Sequence, residues 1–150
     1  MRIAVYGRRS TVRGVYVLAI LVGKNIDVKV CTRKSFSLKK GFYAYVGSAQ
    51  KCLEERLMRH LRKAGKRRFW HIDYLLAMDC VSVVKAFYKE AEKQEECRTA
   101  KNLGAFGFPV DGFGCSDCRC RSHLIRLDSF SLLEDACLKL GFKPFALSCQ

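Results

Sequence analysis

The chain has few of the features that mark disorder or a membrane span. Among its 150 residues there are only two prolines, and there is no repeat or low-complexity stretch. With 49% hydrophobic and 28% charged residues, the composition is typical of a folded globular domain. The longest apolar run, GVYVLAILVG, is about half the length of a membrane-spanning helix. The sequence therefore predicts a single domain, residues 1–150, without a membrane span.

The first residues of the sequence do not have the pattern that predicts a secretory signal peptide. The first residues, MRIAVYGRRS, carry charges where a signal peptide has its apolar core. The nine cysteines are scattered and odd in number, unlike a secreted disulfide framework. We therefore expect a cytoplasmic, intracellular protein with reduced thiols.

Acidic residues are scarce relative to basic ones. Lys and Arg number 28 against 14 Asp and Glu, so the formal net charge is +14 and the isoelectric point is near 9.6. An excess of this size favours a polyanionic partner, which is nucleic acid or, less often, an anionic membrane surface. The alternative is a protein that is basic without having such a partner.

The hydrophobic pattern predicts mixed strands and helices. Segments rich in β-branched and aromatic residues, or alternating between apolar and polar, predict strands at 14–22, 26–31, 41–47, 81–88 and 122–127. Helical spacing predicts helices at 51–64, 69–78, 89–105 and 131–141. The first two strands predict an antiparallel hairpin, and 32–40 and 107–120 predict loops. The expected class is α+β or α/β, with a small central mixed sheet flanked by helices.

Two of these strands carry similar sequences at one end. GVY begins the first strand and YVG ends the third, so the hydroxyls of Tyr16 and Tyr45 can lie at one sheet edge. The following helix offers Arg56 and His60, which are four residues apart and share a face. The alternative is that the tyrosines are ordinary strand residues, because tyrosine favours strands.

These side chains suit the cleavage of a phosphodiester bond. The reaction needs a base for the attacking water and a cation that neutralises charge on the phosphate. A tyrosine near a cation can have a lowered pKa and act as base, and arginine grips phosphate bidentately. A single carboxylate, from Glu95 or Glu96 in a later helix, with several waters is a typical Mg²⁺ site.

Together these motifs resemble the GIY-YIG nuclease superfamily. The chain is similar in particular to a small branch of it, known as a domain of unknown function, DUF123. The similarity covers about residues 13–127, in the segments GVYVLAI, KKGFYAYVGSA, RLMRHLRKAGKRRFWHIDYLL, EEC and GFGCSDCRCRSHL. It implies a metal-dependent DNA endonuclease. Because some relatives are fused to endonuclease III-like DNA glycosylases, it also implies repair or processing of damaged or structured DNA, with such a glycosylase as a partner.

The resemblance also implies roles for individual residues. Tyr16 would be the general base or would polarise the attacking water, and Tyr45 would hold that water or a phosphate oxygen. Arg56 would stabilise the transition state. His60 would contact the phosphate or act as an auxiliary base.

The remaining roles concern the metal and the two glycines. Glu96, with Glu95 as the alternative, would bind one Mg²⁺ or Mn²⁺ ion. Gly14 and Gly47 would allow the close approach of backbone or substrate. Ser48 stands where the incision nucleases of the superfamily have lysine after the glycine of YVG. A non-catalytic nucleic-acid-binding module of the same fold is the alternative function.

A basic segment covers residues 56–68. It holds seven Lys and Arg residues and no acidic residue, so backbone phosphates are its natural counter-charge, although a solvated helix face is the alternative. The contacts expected are non-specific ones to the nucleic-acid backbone. The residues predicted to make them are Arg59, Arg62, Lys63, Lys66, Arg67 and Arg68.

The segment CSDCRCRSH offers four soft or borderline metal ligands within nine residues. They are Cys115, Cys118, Cys120 and His123. One interpretation is a structural zinc site, and the chain would then be a zinc-stabilised interaction protein. The other interpretation is that these side chains form structural hydrogen bonds. The remaining cysteines, including Cys97, are expected to be small buried hydrophobes or exposed thiols.

Two further expectations concern neighbours of the site. Strand alternation places Ala44 on the core face and Tyr43 on the face of Tyr45, which predicts that Tyr43 is a neighbour of the site. His71 and Asp73 are two residues apart in a helix and do not face each other, so one of the two can reach the site.

Overall fold

The computed structural model describes residues 12–30, 34–63, 65 and 67–146. In chain order its strands are β1 Gly14–Val22, β2 Ile26–Val30, β3 Lys34–Leu38, β4 Gly41–Ala49, β5 Val81–Glu90, β6 Phe108–Pro109, β7 Leu124–Leu127 and β8 Lys143–Pro144. The helices are α1 Leu53–Leu61, α2 His71–Leu76, α3 Gln94–Phe106 and α4 Phe130–Lys139. The α+β class expected from the sequence is confirmed. Within the described residues no helix combines the length and apolar character needed to cross a membrane.

Six of the strands form one sheet in the order β6-β7-β4-β1-β5-β8, and β2 and β3 form a separate two-stranded sheet. Every strand pair in the described ranges is antiparallel, so the sheet is antiparallel rather than mixed. The strand β1 lies at the centre because its nine residues pair on one side with β4 and on the other with β5.

The predicted hairpin between the first two strands is wrong. Because both edges of β1 are taken by β4 and β5, β2 pairs with β3 instead, with Ile26 opposite Leu38. The segment 32–40 is predicted to be a loop, yet β3 lies within it. Its strand pattern rests on only two buried apolar residues, Phe36 and Leu38, which is too short an alternation to identify from sequence.

Helix α3 begins later than its sequence suggests. The charged segment from 89 has a helical composition, but β5 continues to Glu90 because that residue pairs with Gly14 on β1. Pairing in the sheet overrides local propensity here. The predicted loop at 107–120 contains β6, and β8 was not predicted, because strands of two residues have no alternation to detect. The other predicted strands and helices agree with the structure to within a few residues, and helix α4 is followed by Gly141 with φ +89°, which glycine adopts easily.

The central strands are buried on both faces. Tyr16 and Leu18 of β1 face α1, α2 and the β2–β3 hairpin, while Val15 and Val17 face α3 and α4. The face of β4 that carries Tyr43 is therefore as much a part of the core as the opposite one. At one end of the sheet, the beginning of β1 lies beside the end of β4, because Gly14 pairs with Ala49.

The glycines of the two motifs allow close packing at this end. A Cβ atom on Gly14 would collide with the backbone carbonyl of Lys89 and would lie 3.0 Å from Leu53 Cδ2. Gly47 is directly opposite Tyr16, and a Cβ on Gly47 would lie 2.5 Å from Cζ of that ring. At Gly14 the close neighbour is backbone, as expected, whereas at Gly47 it is a side chain and not backbone or substrate.

We expect Gly47→Ala to lower the free energy of unfolding by about 1–3 kcal/mol, because the Tyr16 ring is buried and cannot move away from an added methyl group. Urea denaturation at neutral pH measures the change. Gly104→Ala is the matched control, since its Cβ would lie at an ordinary 3.5 Å from Pro109 Cγ within helix α3. Equal stability of the Gly47→Ala variant and wild type would contradict the packing described here.

Candidate functional site

A cavity of about 980 Å³ opens at the end of the sheet where the two glycines lie. Four of the five residues predicted to be catalytic line it, although they come from distant parts of the sequence. These residues are Tyr16, Tyr45, Arg56 and Glu96. The fifth, His60, lies behind Tyr16 on helix α1 and is 2% exposed.

Tyr16 and His60 form a buried pair. The Tyr16 hydroxyl oxygen and His60 Nε2 are 2.7 Å apart. Burial raises the pKa of Tyr16 far above its usual range, and this effect outweighs the lowering by the nearby Arg56 guanidinium. The expectation that a neighbouring cation would give Tyr16 a low pKa is therefore wrong. At neutral pH Tyr16 is a phenol, not a phenolate.

Tyr45 packs beside this pair. Its ring centroid is 6.5 Å from that of Tyr16 and 6.3 Å from that of Phe113, and burial raises the pKa of its hydroxyl as well. Tyr43, on the same face of β4, is predicted from the sequence to be a site neighbour, but this is wrong. Its hydroxyl donates to the Lys39 carbonyl at 2.6 Å, and it does not line the cavity.

Ser48 joins the two charged residues of the cavity. Its carbonyl accepts a hydrogen bond from Arg56 Nη1 at 3.1 Å, and its hydroxyl donates to Glu96 Oε1 at 2.5 Å. One residue of β4 thereby positions a cation from α1 and a carboxylate from α3. In the sequence Ser48 stands out only as a departure from the incision nucleases, so this positioning role was missed.

Glu96, not Glu95, is the carboxylate of the cavity. Glu95 turns away and forms ion pairs with Arg98 at 3.0 Å and with Lys89 at 3.4 Å. Glu96 Oε2 lies 3.4 Å from Nδ1 of the buried His123. The choice between the two adjacent glutamates depends on the helical register of α3, which the sequence left open.

Residues 15–143 match the model of a family described as a domain of unknown function, DUF123. The chain belongs to this family. No curated protein and no solved structure matches the chain. The description of the DUF123 family states no activity.

Two of the basic residues in the DUF123 chain have structural roles. Arg59 donates to both carboxylate oxygens of Asp73, at 2.9 and 3.0 Å. Lys63 Nζ donates to the backbone carbonyls of Leu76, Met78 and Val81 at 2.7–2.8 Å, and the first of these lies at the end of helix α2, where carbonyls lack intrahelical partners. Arg59 and Lys63 therefore have intramolecular partners, and their contacts with phosphates stay a prediction. Lys66 lies outside the described residues.

The other predicted phosphate contacts are solvent-facing. Arg62, Arg67 and Arg68 are all exposed and lie close in sequence to the aromatic residues at the rim of the cavity. There Phe69 is 68% exposed, and the Trp70 ring contacts the guanidinium groups of both Arg56 and Arg59. The exposed arginines and the rim aromatics are therefore accessible to solvent, and the predicted phosphate contacts stay a prediction.

Helix α2 carries His71, which lines the cavity, and Asp73, which holds residues at the rim of the cavity. His71 lines the cavity, and its Nδ1 accepts a hydrogen bond from the Gly114 amide at 2.9 Å; burial, with Lys34 nearby, lowers its pKa. Asp73 is buried and accepts from the Phe69 and Trp70 amides. The expectation that one of these two residues reaches the cavity is confirmed, with His71 as that residue.

The cysteine cluster differs by one member from the predicted set. Cys118, Cys120 and His123 do come together, but the fourth member is Cys97 from helix α3. Cys115 lies apart, with its sulfur 3.7 Å from the Arg121 carbonyl. The predicted ligands all come from one segment, whereas the fold brings in a ligand from a helix.

We expect Asp73→Asn to destabilise the protein by about 3–5 kcal/mol, because it removes the buried counter-charge of Arg59. Although burial opposes it, hydrogen bonding from Arg59 and from the Trp70 and Phe69 amides lowers the pKa of Asp73, so the carboxylate is charged at neutral pH. Urea denaturation measures the loss. In the control Asp111→Asn, which removes the exposed partner of Arg121, we expect a change of at most about 1 kcal/mol. A similar small loss for Asp73→Asn would show that the Arg59 contact contributes little.

Proposed function

We propose that this DUF123 protein is a metal-dependent DNA endonuclease of the GIY-YIG type, acting on damaged or structured DNA. The observation that carries the proposal is the convergence of Tyr16, Tyr45, Arg56 and Glu96 on one cavity, with His60 bonded to Tyr16. These side chains come from β1, β4, α1 and α3. A merely structural role would not require phenols, a cation and a carboxylate from four elements to share one water-accessible cavity.

Arg56 and the rim of the cavity would bind the DNA backbone. The Arg56 guanidinium is oriented by the Ser48 carbonyl and by the Trp70 ring, with its Cζ 4.4 Å from the ring centroid. An arginine held in this way is preorganised to neutralise the charge that develops on the phosphate. The exposed Phe69 at the rim would stack on an unpaired base next to the scissile phosphate.

The donor set at Glu96 fits a single Mg²⁺ or Mn²⁺ ion. One carboxylate in a cavity with ample room for water matches the preference of Mg²⁺ for few protein ligands and several waters. Ser48 donates to Oε1 and His123 Nδ1 lies 3.4 Å from Oε2, so the ion would bind a remaining lone pair of the Glu96 carboxylate on its cavity side. When bound, such an ion polarises a phosphate oxygen and stabilises the leaving oxygen.

Proton transfer would use Tyr16 and His60 together. Tyr16 keeps its own proton at neutral pH, so it cannot act as a base alone. With His60 Nε2 as acceptor, Tyr16 can pass its proton to the imidazole while its oxygen takes a proton from the attacking water. Tyr45 would orient the water or a non-bridging phosphate oxygen. The role proposed for Tyr16 is thus a proton relay, and His60 is the final base.

A cleavage screen tests the catalytic proposal. We expect the wild-type protein to nick at least one of plain, abasic, flapped or branched DNA in Mg²⁺ or Mn²⁺ and to be inactive in EDTA. Tyr16→Phe, Arg56→Ala and Glu96→Gln should each lower the cleavage rate by about 10²-fold or more, because each removes a group used in the transition state. Gel analysis of end-labelled DNA measures the rates.

Two matched variants serve as controls for this screen. Tyr43→Phe removes a hydroxyl from the same face of β4, and Glu95→Gln removes a carboxylate adjacent to Glu96. Both should cleave within about threefold of wild type, since neither residue lines the cavity. Equal losses for Glu95→Gln and Glu96→Gln would refute the assigned metal ligand. DNA binding without cleavage of any substrate would refute the endonuclease proposal and favour the alternative, a non-catalytic nucleic-acid-binding module.

Binding to DNA is expected to depend on the exposed arginines near the rim. Changing Arg62, Arg67 and Arg68 to Gln should weaken binding and reduce the slope of log K against log salt by about 0.9 for each phosphate that is no longer neutralised. Fluorescence anisotropy over a range of NaCl concentrations measures both. The control changes three exposed lysines elsewhere to Gln, namely Lys24, Lys29 and Lys139. The arginine contacts would be disproved by identical slopes for the two triple variants.

A further inference from the structure

Four metal-binding side chains meet between helix α3 and the loop that precedes β7. They are Cys97, Cys118, Cys120 and His123. We propose that they bind one structural zinc ion. The proposal does not depend on the nuclease activity, because none of the four lines the cavity that holds Tyr16 and Glu96.

The distances within this group suit one tetrahedral ion. The sulfur and nitrogen atoms all lie within 4.8 Å of one another. Zinc bonds of about 2.3 Å to sulfur and 2.0–2.1 Å to nitrogen require ligand atoms to be about 3.5–3.8 Å apart. Cys118 Sγ and His123 Nε2 are already 3.5 Å apart. The remaining ligands need to move by only about 1 Å, which side-chain rotation supplies.

His123 is oriented as a metal ligand. It is 1% exposed, and its Nδ1 lies 3.2 Å from the Val46 carbonyl and 3.4 Å from Glu96 Oε2. Acceptors at Nδ1 favour the tautomer with its proton on that nitrogen, so the lone pair is on Nε2, which faces the Cys118 sulfur. A metal-bound histidine usually has such an acceptor at its second nitrogen.

The backbone explains how two cysteines separated by one residue reach the same ion. Cys118 and Cys120 lie in an irregular loop, where neither helix nor strand geometry forces their side chains apart. Cys97 approaches from the first turns of α3, on the other side of the loop. All described cysteines are free thiols, so three reduced ligands are present together. Three thiols and an imidazole select zinc over Mg²⁺ or Ca²⁺, which prefer oxygen ligands.

The zinc site would have a positioning role for the cavity. Four protein ligands leave no open coordination position, so the ion would be structural. It would join α3 to the loop directly beside Glu96, which precedes Cys97 in the sequence and contacts His123. By binding Cys97, the ion would therefore help to fix the rotation of helix α3 that directs Glu96, and not Glu95, into the cavity.

Metal analysis of matched variants tests the site. After purification in reductant without chelators, elemental analysis should find about one zinc per wild-type chain. Cys97→Ser should retain less than about a tenth of an equivalent under the same conditions, since a ligand set reduced to two thiolates and one imidazole loses most of its affinity. Cys115→Ser is the control and should retain about one equivalent. If the ligands were instead the set predicted from the sequence, which contains Cys115 and not Cys97, Cys115→Ser would lose the zinc and Cys97→Ser would retain it.

A second measurement needs only the wild-type chain, in case Cys97→Ser does not fold. Iodoacetamide followed by peptide mass spectrometry should modify Cys115 quickly and Cys97, Cys118 and Cys120 slowly. A chelator should abolish the difference. Cobalt substitution should give the visible bands of a tetrahedral thiolate site.

Four results would overturn the zinc proposal. The first is less than about a tenth of an equivalent of zinc in wild-type protein, and the second is an equal loss of zinc from the Cys97 and Cys115 variants. The third is iron with acid-labile sulfide in place of zinc, and the fourth is a disulfide among Cys97, Cys118 and Cys120 in protein kept in reductant. Zinc binding with full retention by Cys115→Ser supports the site even if no DNA substrate is cleaved.

Discussion

The contact between Tyr16 and Gly47 is the constraint on which the candidate site depends. The two residues are opposite each other on β1 and β4, and only glycine leaves room for the phenol ring. The ring can therefore lie across the neighbouring strand and place its hydroxyl 2.7 Å from His60. A larger residue at position 47 would displace the ring and with it the floor of the cavity. The glycine of YVG and the tyrosine of GVY are thus two halves of one packing arrangement.

Burial has a chemical consequence for this arrangement. A phenol that is packed between strand and helix has a raised pKa, so Arg56 cannot by itself convert Tyr16 into a base. The close His60 provides the missing proton acceptor in the proposed mechanism. Ser48 has a complementary role, because it fixes Arg56 and Glu96 relative to the same strand. The cavity combines a buried Tyr16–His60 pair with a charged, water-accessible side.

Much of the fold could be predicted from local patterns. The β-branched and aromatic residues at 14–22 indicate a strand, and the helical spacing of Leu53, Leu57 and Leu61 indicates helix α1. The sequence-based predictions were wrong where long-range strand pairing determines the structure. Strand β1 pairs with β4 rather than with β2, and β5 extends into a segment with helical composition. The basic segment shows the same limit. A run of cations indicates a negatively charged partner, but it does not reveal that Arg59 already forms an ion pair with Asp73 of the same chain.

The sequence by itself determined the types of side chain, the elements that carry them and the motifs that resemble a nuclease superfamily. Spacing along the chain predicted that Tyr16 and Tyr45 lie at one end of the sheet and that Arg56 and His60 share one face of α1. Only the tertiary structure decided that Glu96 faces the cavity and that Cys97 replaces Cys115 among the thiols. Both decisions depend on how α3 packs against β4 and the loop before β7. Such packing is a property of the whole core, whereas periodicity reports only the neighbours along one element.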